Sequence, residues 1–325
     1  MQRLKWDVAT VDGVHVFVKR LLFLGDLAKI HRPEELPSHK KLIQFLKARH
    51  IRRLVIEPVA SIPQSRFSRW CKHLPSWIRL NRSPFLPTKT IRIDLTKTAD
   101  EIFKSFSEAK RRAVRRAITL GVVVKESDDS TALIRVKNKS SGMFGFITTT
   151  GIRQLWDIFA PKHATILLAH AGGEVAGGVL LLFWDRIAYY WIAGATKQGK
   201  KLFAPTLLVW EALQLAKKRG ARSFDFVGVW DERIPKQNRE WLGFTKFKEG
   251  FGGKTQYYPL PRPTLIIRKT CGTRRSHKVD CQSSGNPRIQ CRGQRQLFSV
   301  FLLPAALPSW LLKFSPAYQK SKVST

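Results

Sequence analysis

The chain has 325 residues, 43% of them hydrophobic, which is enough for two domains of ordinary size with packed cores and excludes a wholly disordered polypeptide. Its 58 Lys and Arg residues outnumber 23 Asp and Glu residues, and the formal net charge is +35. A positive charge of this size favours polyanionic partners such as RNA, DNA, a nucleotide-linked substrate or an anionic membrane surface, with a generally basic solvated surface as the alternative.

Cysteine and histidine spacing indicates no metal site. The main body contains one cysteine, Cys71, and the other three lie in the tail at ten-residue intervals, unlike the close spacing of zinc ligands. We therefore expect a reducing compartment and no metal or cofactor. The apolar segment Val14 to Gly25 is interrupted by Lys19 and Arg20, which argues against a signal peptide or a membrane span, so we expect a cytoplasmic protein.

The N-terminal third alternates strands with a helix. Trp6 to Ala9 and Val14 to Val18 are predicted to form a hairpin across an Asp-Gly turn. A helix is predicted over Lys40 to His50, followed by a buried strand over Leu54 to Glu57. The segment Ile62 to Pro87 is rich in Arg, Pro, Ser and Trp, and we predict a long loop there.

A basic helix follows the next predicted strand, Thr90 to Leu95. Thr98 and Glu101 have the spacing of a capping box, and Gly121 is typical of a helix end. The second half of this helix carries five cations: Lys110, Arg111, Arg112, Arg115 and Arg116. This end of the helix is predicted to bind phosphate, with a solvated face at a helix C-terminus as the alternative.

The centre of the chain predicts a β-β-α-β unit. Val175 to Trp184 and Ile187 to Ala193 form a predicted hairpin, and an apolar helix follows that ends at Gly220. The next predicted strand, Ser223 to Val229, carries a single carboxylate, Asp225, in its middle. A unit of this kind can support acyl transfer, although the scaffold does not determine the function.

A short internal similarity links the two halves. The sequence IQFLKAR at Ile43 to Arg49 aligns with LQLAKKR at Leu213 to Arg219, and a predicted strand follows both. The offset of 170 residues suggests two copies of one α/β unit, with chance similarity of two amphipathic helices as the alternative.

The last ordered segment, Trp241 to Gly253, is rich in aromatic residues and glycine and contains Lys246 and Lys248. Lysines placed among aromatics suit a groove for an anionic chain end, and a lysine stem packed over a core is the alternative. Residues 271 to 325 lose helical and strand periodicity, which predicts disorder.

Four of these segments, taken in order, resemble the Fem-type (FemABX) aminoacyltransferases that build the interpeptide bridge of peptidoglycan. The resemblance covers most of residues 1 to 262 and is carried by Ile91 to Val124, Tyr189 to Gly194, Ala204 to Gly228 and Gly243 to Gly252. It implies an α/β (α+β) fold of two tandem acetyltransferase-like (GNAT) domains with mixed sheets flanked by helices. We place these domains at 1–125 and 126–262, with a basic, disordered tail at 263–325.

The resemblance also implies an activity and its partners. Family members transfer an amino acid from aminoacyl-tRNA to the amine of a stem peptide on a nucleotide- or lipid-linked muropeptide, without a cofactor. We therefore expect a tRNA-dependent aminoacyltransferase of cell-wall synthesis, a monomer that makes peripheral contact with an anionic membrane.

Site residues follow from the same resemblance. Lys248 stands where the family motif has a lysine that assists at the aminoacyl ester, and Asp94 lies in an Asp-Leu motif as a catalytic base or acceptor-binding carboxylate. The substrate-binding candidates are Lys29, Arg32, Tyr190, Asp225 and Phe247. The tRNA-binding candidates come instead from the charge of the basic helix and are Arg111, Arg112, Arg115 and Arg116.

Two other function classes stay open. An acyl-CoA-dependent N-acyltransferase could use this fold, but Gln198 to Phe203 (QGKKLF) lacks the Gln/Arg-x-x-Gly-x-Gly/Ala turn that such enzymes usually have. A non-catalytic nucleic-acid-binding protein is favoured by the charge but not by the buried central unit. Within the Fem pattern, Lys29 to Pro33 (KIHRP) lacks the glycine of the family's Gly-Pro step, which leaves the exact acceptor open.

Overall fold

A computed structural model describes residues 6–21, 25–81, 84–141 and 149–261. They form two mixed sheets flanked by helices, which confirms the predicted α/β class. The tail predicted at 263–325 lies outside the described residues. Within these ranges, the helices are too short or too polar to cross a bilayer.

The first sheet has five strands in chain order: β1 (Asp7–Val11), β2 (Val14–Leu21), β3 (Gly25–His31), β4 (Arg53–Glu57) and β5 (Arg79–Leu80). The first three strands are antiparallel, and β3, β4 and β5 are parallel because helices α1 (His39–Ala48) and α2 (Gln64–Lys72) provide the crossovers. The predicted loop over residues 62–87 was wrong in part, since it contains α2. That helix buries Phe67 and Trp70, whose helical spacing is obscured by the surrounding polar residues.

The second sheet has seven strands in the order β12-β6-β11-β10-β9-β8-β7. Its strands are β6 (Lys89–Asp94), β7 (Val123–Ser127), β8 (Ala164–Ala171), β9 (Glu174–Trp184), β10 (Ile187–Ala195), β11 (Ser223–Asp225) and β12 (Lys254–Tyr257). The helices around it are α3 (Ala99–Lys104), α4 (Glu108–Thr119), α5 (Ser130–Ser141), α6 (Ile152–Phe159), α7 (Lys197–Lys201), α8 (Ala204–Lys218) and α9 (Leu242–Glu249), with a 3₁₀ turn at Arg239–Trp241.

The basic helix predicted as one element is two helices, α3 and α4. The capping box of Thr98 and Glu101 is present at the start of α3. Ser107 then caps α4 by accepting a hydrogen bond from the backbone of Lys110, and Phe106 is buried at the break. A second N-cap signal inside the apolar pattern therefore ends one helix and starts the next.

The change from one sheet to the other falls between Leu80 and Lys89. The boundary predicted at 125/126 lies instead within the chain that builds the seven-stranded sheet. Strand β6 belongs to that sheet because it pairs with both β11 and β12.

The two sheets share a β-β-α-β arrangement. Helix α1 connects β3 to its parallel neighbour β4, and helix α8 connects β10 to its parallel neighbour β11. In each sheet the first strand of the unit, β2 or β9, is antiparallel to the second strand, β3 or β10. The segments aligned at an offset of 170 residues thus occupy the same place in both units, which supports the internal repeat.

Strands β10 and β11 separate after three paired residues, the last pair being Tyr189 and Asp225. The predicted strand through Val229 therefore ends early. Val227 and Gly228 have φ of 57° and 116°. The Asp225 carboxylate accepts a hydrogen bond of 2.7 Å from the Val227 backbone N–H. This turn takes the chain away from β10 and opens a gap between the strands, into which α9 projects Lys248.

Candidate functional site

Lys248 occupies the gap between β10 and β11. Its Nζ donates hydrogen bonds of 2.8 Å to the carbonyl oxygen of Phe226 and 2.7 Å to that of Gly228. The ammonium also lies 4.7 Å from the centre of the Phe244 ring. A lysine ammonium has three N–H donors. Among the described residues two of them bond these carbonyls, which leaves the third N–H for a ligand.

The environment of Lys248 weakens its positive charge. Burial lowers the pKa of Lys248 to about 7, the Asp225 carboxylate raises it, and the neighbouring Lys137 lowers it further. A lysine with this pKa exists in both protonation states near neutral pH, which suits a group that acts in proton transfer or charge stabilisation.

Asp225 is buried and bonded by groups of the protein. Its Oδ2 lies 2.9 Å from Nε of Arg92, and its Oδ1 accepts hydrogen bonds of 2.6 Å from the Thr90 hydroxyl and 2.7 Å from the Val227 N–H. Predicted as a substrate-binding residue, Asp225 instead has both oxygens engaged by the chain itself. Its charge stabilises the Lys248 ammonium electrostatically.

Two adjacent tyrosines on β10 face opposite sides of the sheet. Tyr190, the predicted substrate-binding residue, is 8% exposed and packs in the core against Phe224 and Phe226. Tyr189 lies on the other face, where burial and the Asp225 carboxylate raise its pKa. A strand alternates its side chains between faces, so a shift of one residue replaces a core position by a site position.

Arg32 connects the first sheet to the site. Its guanidinium stacks on the Tyr258 ring, with Cζ 3.4 Å from the ring centre. It donates hydrogen bonds of 3.1 Å to the carbonyl of Pro58 and 2.6 Å to that of Pro87. Arg32 and Glu57 line a pocket between the first sheet and the C-terminal end of the described chain.

Lys29, the other basic candidate on β3, does not face solvent. It is 1% exposed, and its Nζ lies 5.0 Å from the ring of Trp6 and 4.2 Å from that of Phe85. Burial lowers the pKa of Lys29 to about 8, and the Glu57 carboxylate opposes this shift.

Asp94 is engaged at the end of β6. It is exposed, and its Oδ1 accepts hydrogen bonds of 2.9 Å from the backbone N–H and 2.6 Å from the hydroxyl of Thr96. These bonds lower the pKa of Asp94, which makes it a weaker base. The groups that bond Lys248 or shift its pKa do not include Asp94, so the structure does not bring the two predicted catalytic residues together.

Phe247, the residue before Lys248, packs toward the core and α4. Its ring lies 5.1 Å from that of Phe251, and Nζ of Lys110 lies 3.8 Å from its centre. Burial lowers the pKa of Lys110 to about 8. Through these contacts with Phe251 and Lys110, Phe247 packs α9 against the core and α4.

The four arginines predicted to bind tRNA divide into two groups. Arg111 donates a 2.9 Å hydrogen bond to the carbonyl of Lys104 and another to that of Phe106, so it caps the end of α3. Arg112, Arg115 and Arg116 are exposed, which leaves three guanidinium groups on the surface of α4. Arg112 pairs with Glu108 at 3.6 Å, a contact between side chains that are both about 70% exposed.

Sequence reasoning missed several site residues: Thr90, Arg92, Lys137, Tyr189 and Tyr258. The alternation of Thr90 and Arg92 with the buried Ile91 and Ile93 could have indicated a polar face on β6. Lys137 is one of many lysines, and its sequence context offered no signal. In the described ranges, no cluster of three or more His, Cys, Asp or Glu residues could hold a metal ion.

Comparison with known proteins identifies the fold. Residues 104–239 match the family model of the acetyltransferase (GNAT) domain. The chain is similar to the crystal structure of FemX, with 16% sequence identity, a TM-score of 0.57, and coverage of 79% of this chain and 88% of that one. The chain has a Fem-type, GNAT-like fold. This confirms the resemblance and the fold that it implies.

Two further solved structures are similar to this chain. The C-terminal domain of a protein named as a lysylphosphatidylglycerol synthetase, from Agrobacterium fabrum, is 13% identical with a TM-score of 0.53, covering 78% of this chain and 82% of that one. A conserved protein of unknown function from Bacteroides thetaiotaomicron is 11% identical with a TM-score of 0.53, covering 78% and 84%. No curated protein matches. The family match and the fold support an acyltransferase.

Proposed function

We propose that the protein transfers an amino acid from aminoacyl-tRNA to the side-chain amine of a stem peptide on a peptidoglycan precursor. The observation that carries the proposal is the position of Lys248, whose ammonium is held by two carbonyls in the gap between β10 and β11. The fold shared with FemX and the formal charge of +35 support a polyanionic donor. Within this proposal the protein acts in the cytoplasm as a monomer, in peripheral contact with the membrane where the acceptor is lipid-linked.

The chemistry requires few groups because an aminoacyl ester is already activated. The acceptor amine attacks the ester carbonyl, the new C–N bond forms, and the C–O bond to the ribose breaks. The proton lost by the amine passes to the departing ribose oxygen, which leaves an amide and a tRNA with a free hydroxyl. The third N–H of Lys248 stabilises the negative charge on the carbonyl oxygen during attack, and this interaction is stronger in the transition state than in the ground state.

The acceptor is proposed to bind on the side of Arg32. The pocket there is water-sized, so the acceptor would lie against the surface around it, which is formed by Arg32, stacked on Tyr258, and by the Pro259–Pro261 segment. Arg32 donates to backbone carbonyls within the protein, so it adds a positive field to this pocket without requiring a direct salt bridge. A nucleotide- or lipid-linked muropeptide carries phosphate that such a field attracts.

An acyl-CoA-dependent N-acyltransferase is the second candidate, and the match of residues 104–239 to the acetyltransferase family model favours it. The two candidates differ in the donor. An RNA donor requires an extended basic surface, whereas acyl-CoA requires a phosphate-binding turn before α8. The chain has Gln198–Phe203 at that point, which lacks the glycine pattern of such a turn.

The test uses one protein preparation and three donor mixtures. Purified protein is incubated in three mixtures. The first contains muropeptide and tRNA charged with radiolabelled amino acids, the second contains muropeptide and radiolabelled acetyl-CoA, and the third contains the charged tRNA without muropeptide. The proposal predicts label in the muropeptide from charged tRNA. Label from acetyl-CoA alone would favour the second candidate, and label in neither would contradict both.

A further inference from the structure

Two more lysines approach the gap between β10 and β11. Lys137, on α5, is half-buried, and Lys200, on α7, is exposed. Close backbone contacts fix both helices: a Cβ at Gly194 on β10 would lie 2.9 Å from Cα of Lys137, and a Cβ at Gly199 would collide with the backbone of β9. Gly194 therefore lets α5 pack directly on β10, which borders the gap, and Gly199 lets α7, which follows β10 in the chain, pack on β9.

The charges of these lysines are not balanced by carboxylates. In the described ranges, neither Lys137 nor Lys200 forms a salt bridge. Burial lowers the pKa of Lys137, and the charge of Lys200 lowers it further. Lys137 in turn lowers the pKa of Lys248. Lys137 thus carries a positive charge beside two other lysines without a salt-bridge partner, an arrangement that an anionic ligand would relieve.

We propose that Lys137 and Lys200 bind a backbone phosphate of the single-stranded 3′ end of the donor RNA, next to the ester at Lys248. This inference rests on the proposed function. Lysine presents a compact charge with three rotatable donors, which suits a phosphate approached from a flexible strand. The 3′-terminal ester and the last phosphates are close neighbours in the RNA. In the protein, Lys137 packs against the end of β10 and Lys248 bonds the carbonyls that follow β11.

The position of these lysines favours the donor over the acceptor as the ligand. Arg32 reaches the site from the first sheet and stacks on Tyr258, which follows β12, whereas Lys137 and Lys200 lie on α5 and α7 at the C-terminal end of β10. Two substrates that react at one point must enter from different directions. The acceptor phosphate is therefore assigned to the Arg32 side and the RNA phosphate to the lysine side.

The experiment compares two double variants that remove the same charge from the same two helices. Lys137→Met with Lys200→Met tests the site, and Lys139→Met with Lys201→Met is the control because both control lysines are exposed. The probe is an uncharged RNA acceptor-stem hairpin ending in CCA, and its affinity is measured from low to moderate salt. The site variant should bind at least tenfold more weakly. Its slope of log affinity against log salt should fall by about 0.7, because the contact to one single-strand phosphate is lost.

A blunt hairpin without the CCA end should bind the two double variants equally. Equal losses in both variants with the CCA hairpin, unchanged affinity of the site variant, or failure of the wild-type protein to bind the hairpin would each overturn the proposal. If uridine diphosphate binding falls instead while RNA binding is unchanged, the lysines serve the acceptor and the assignment to the donor is wrong.

The result can be separated from the proposed function because the probe is not charged and nothing is transferred. A wild-type protein that binds the hairpin through these lysines but transfers no amino acid would refute the aminoacyltransferase and leave the phosphate site standing. Melting temperatures show whether both variants fold. If the site variant is destabilised, Lys200→Met alone replaces it, since Lys200 is exposed, with Lys201→Met as its control and the same direction of change expected.

Discussion

Nε of Arg92 lies 2.9 Å from Oδ2 of Asp225, and the two residues are register partners on β6 and β11. The aspartate side chain is 4% exposed and that of the arginine 30%. Asp225 also accepts a hydrogen bond from Thr90, so it anchors β11 at the point where the strand leaves β10. The negative charge of the same carboxylate raises the pKa of Lys248.

Asp225→Asn should destabilise the protein by about 3 kcal/mol, because removing one partner of a largely buried ion pair leaves the other charge uncompensated. Urea unfolding measures this change. Asp94→Asn is the control, since Asp94 is exposed and bonds within its own turn, and it should cost less than about 1 kcal/mol. Equal losses for both variants would show that the ion pair does not anchor β11.

Stability should depend on pH through Lys248. Burial lowers its folded-state pKa from 10.5 to about 7. Between pH 7 and 10.5 the unfolded chain therefore binds a proton that the folded chain does not, and stability rises with pH; below pH 7 both states are protonated and this contribution is constant. Relative to Lys248→Met, the wild-type protein should gain at most about 1.4 kcal/mol per pH unit above pH 7.

Denaturant unfolding measured at about four pH values from 6 to 9 checks this dependence of stability on pH. Lys246→Met is the control because Lys246 is exposed on the same helix, and its curve should run parallel to that of the wild-type protein. Parallel curves for Lys248→Met and the wild-type protein would mean that Lys248 is not held in a state of lowered pKa.

The exposed arginines of α4 should bind RNA without stabilising the fold. Changing Arg112, Arg115 and Arg116 together to Gln should weaken tRNA binding and flatten its dependence on salt, because fewer counterions are released. Arg111→Gln should instead lower the stability by about 1 kcal/mol, since Arg111 bonds the carbonyls at the end of α3. A salt slope that stays the same in the triple variant would make these arginines an ordinary solvated face.

The sequence predicted most elements of the second sheet because their signals are local. The hairpin of β9 and β10, the capping box at Thr98 and the helix end at Gly220 each depend on a few neighbouring residues. The segment 62–87 was misread because α2 has polar residues between Phe67 and Trp70. The start of the seven-stranded sheet could not be found because the pairing of β6 with β12 is set by residues far apart in sequence.

A site residue could be predicted from the sequence where a motif position identified it. It could not be predicted where its place depended on which face of a strand it occupies. Lys248 was named from its motif, and it lies at the point where β10 and β11 separate. Tyr190 was the residue predicted on β10, and it packs in the core, whereas Tyr189 lies on the opposite face because adjacent strand residues point to opposite sides. Lys137 could not have been found, since its approach depends on the absence of a side chain at Gly194, on a different element.

The most direct test of the proposed chemistry is single-turnover transfer at saturating aminoacyl-tRNA, comparing Lys248→Met with Lys246→Met. Methionine keeps the length and apolar stem of Lys248 and removes its donors. Removing one donor to a developing oxyanion typically slows the chemical step by about 10²- to 10³-fold. We predict a loss of this size for Lys248→Met with unchanged tRNA affinity, and a near wild-type rate for Lys246→Met. A normal single-turnover rate in Lys248→Met would contradict the account.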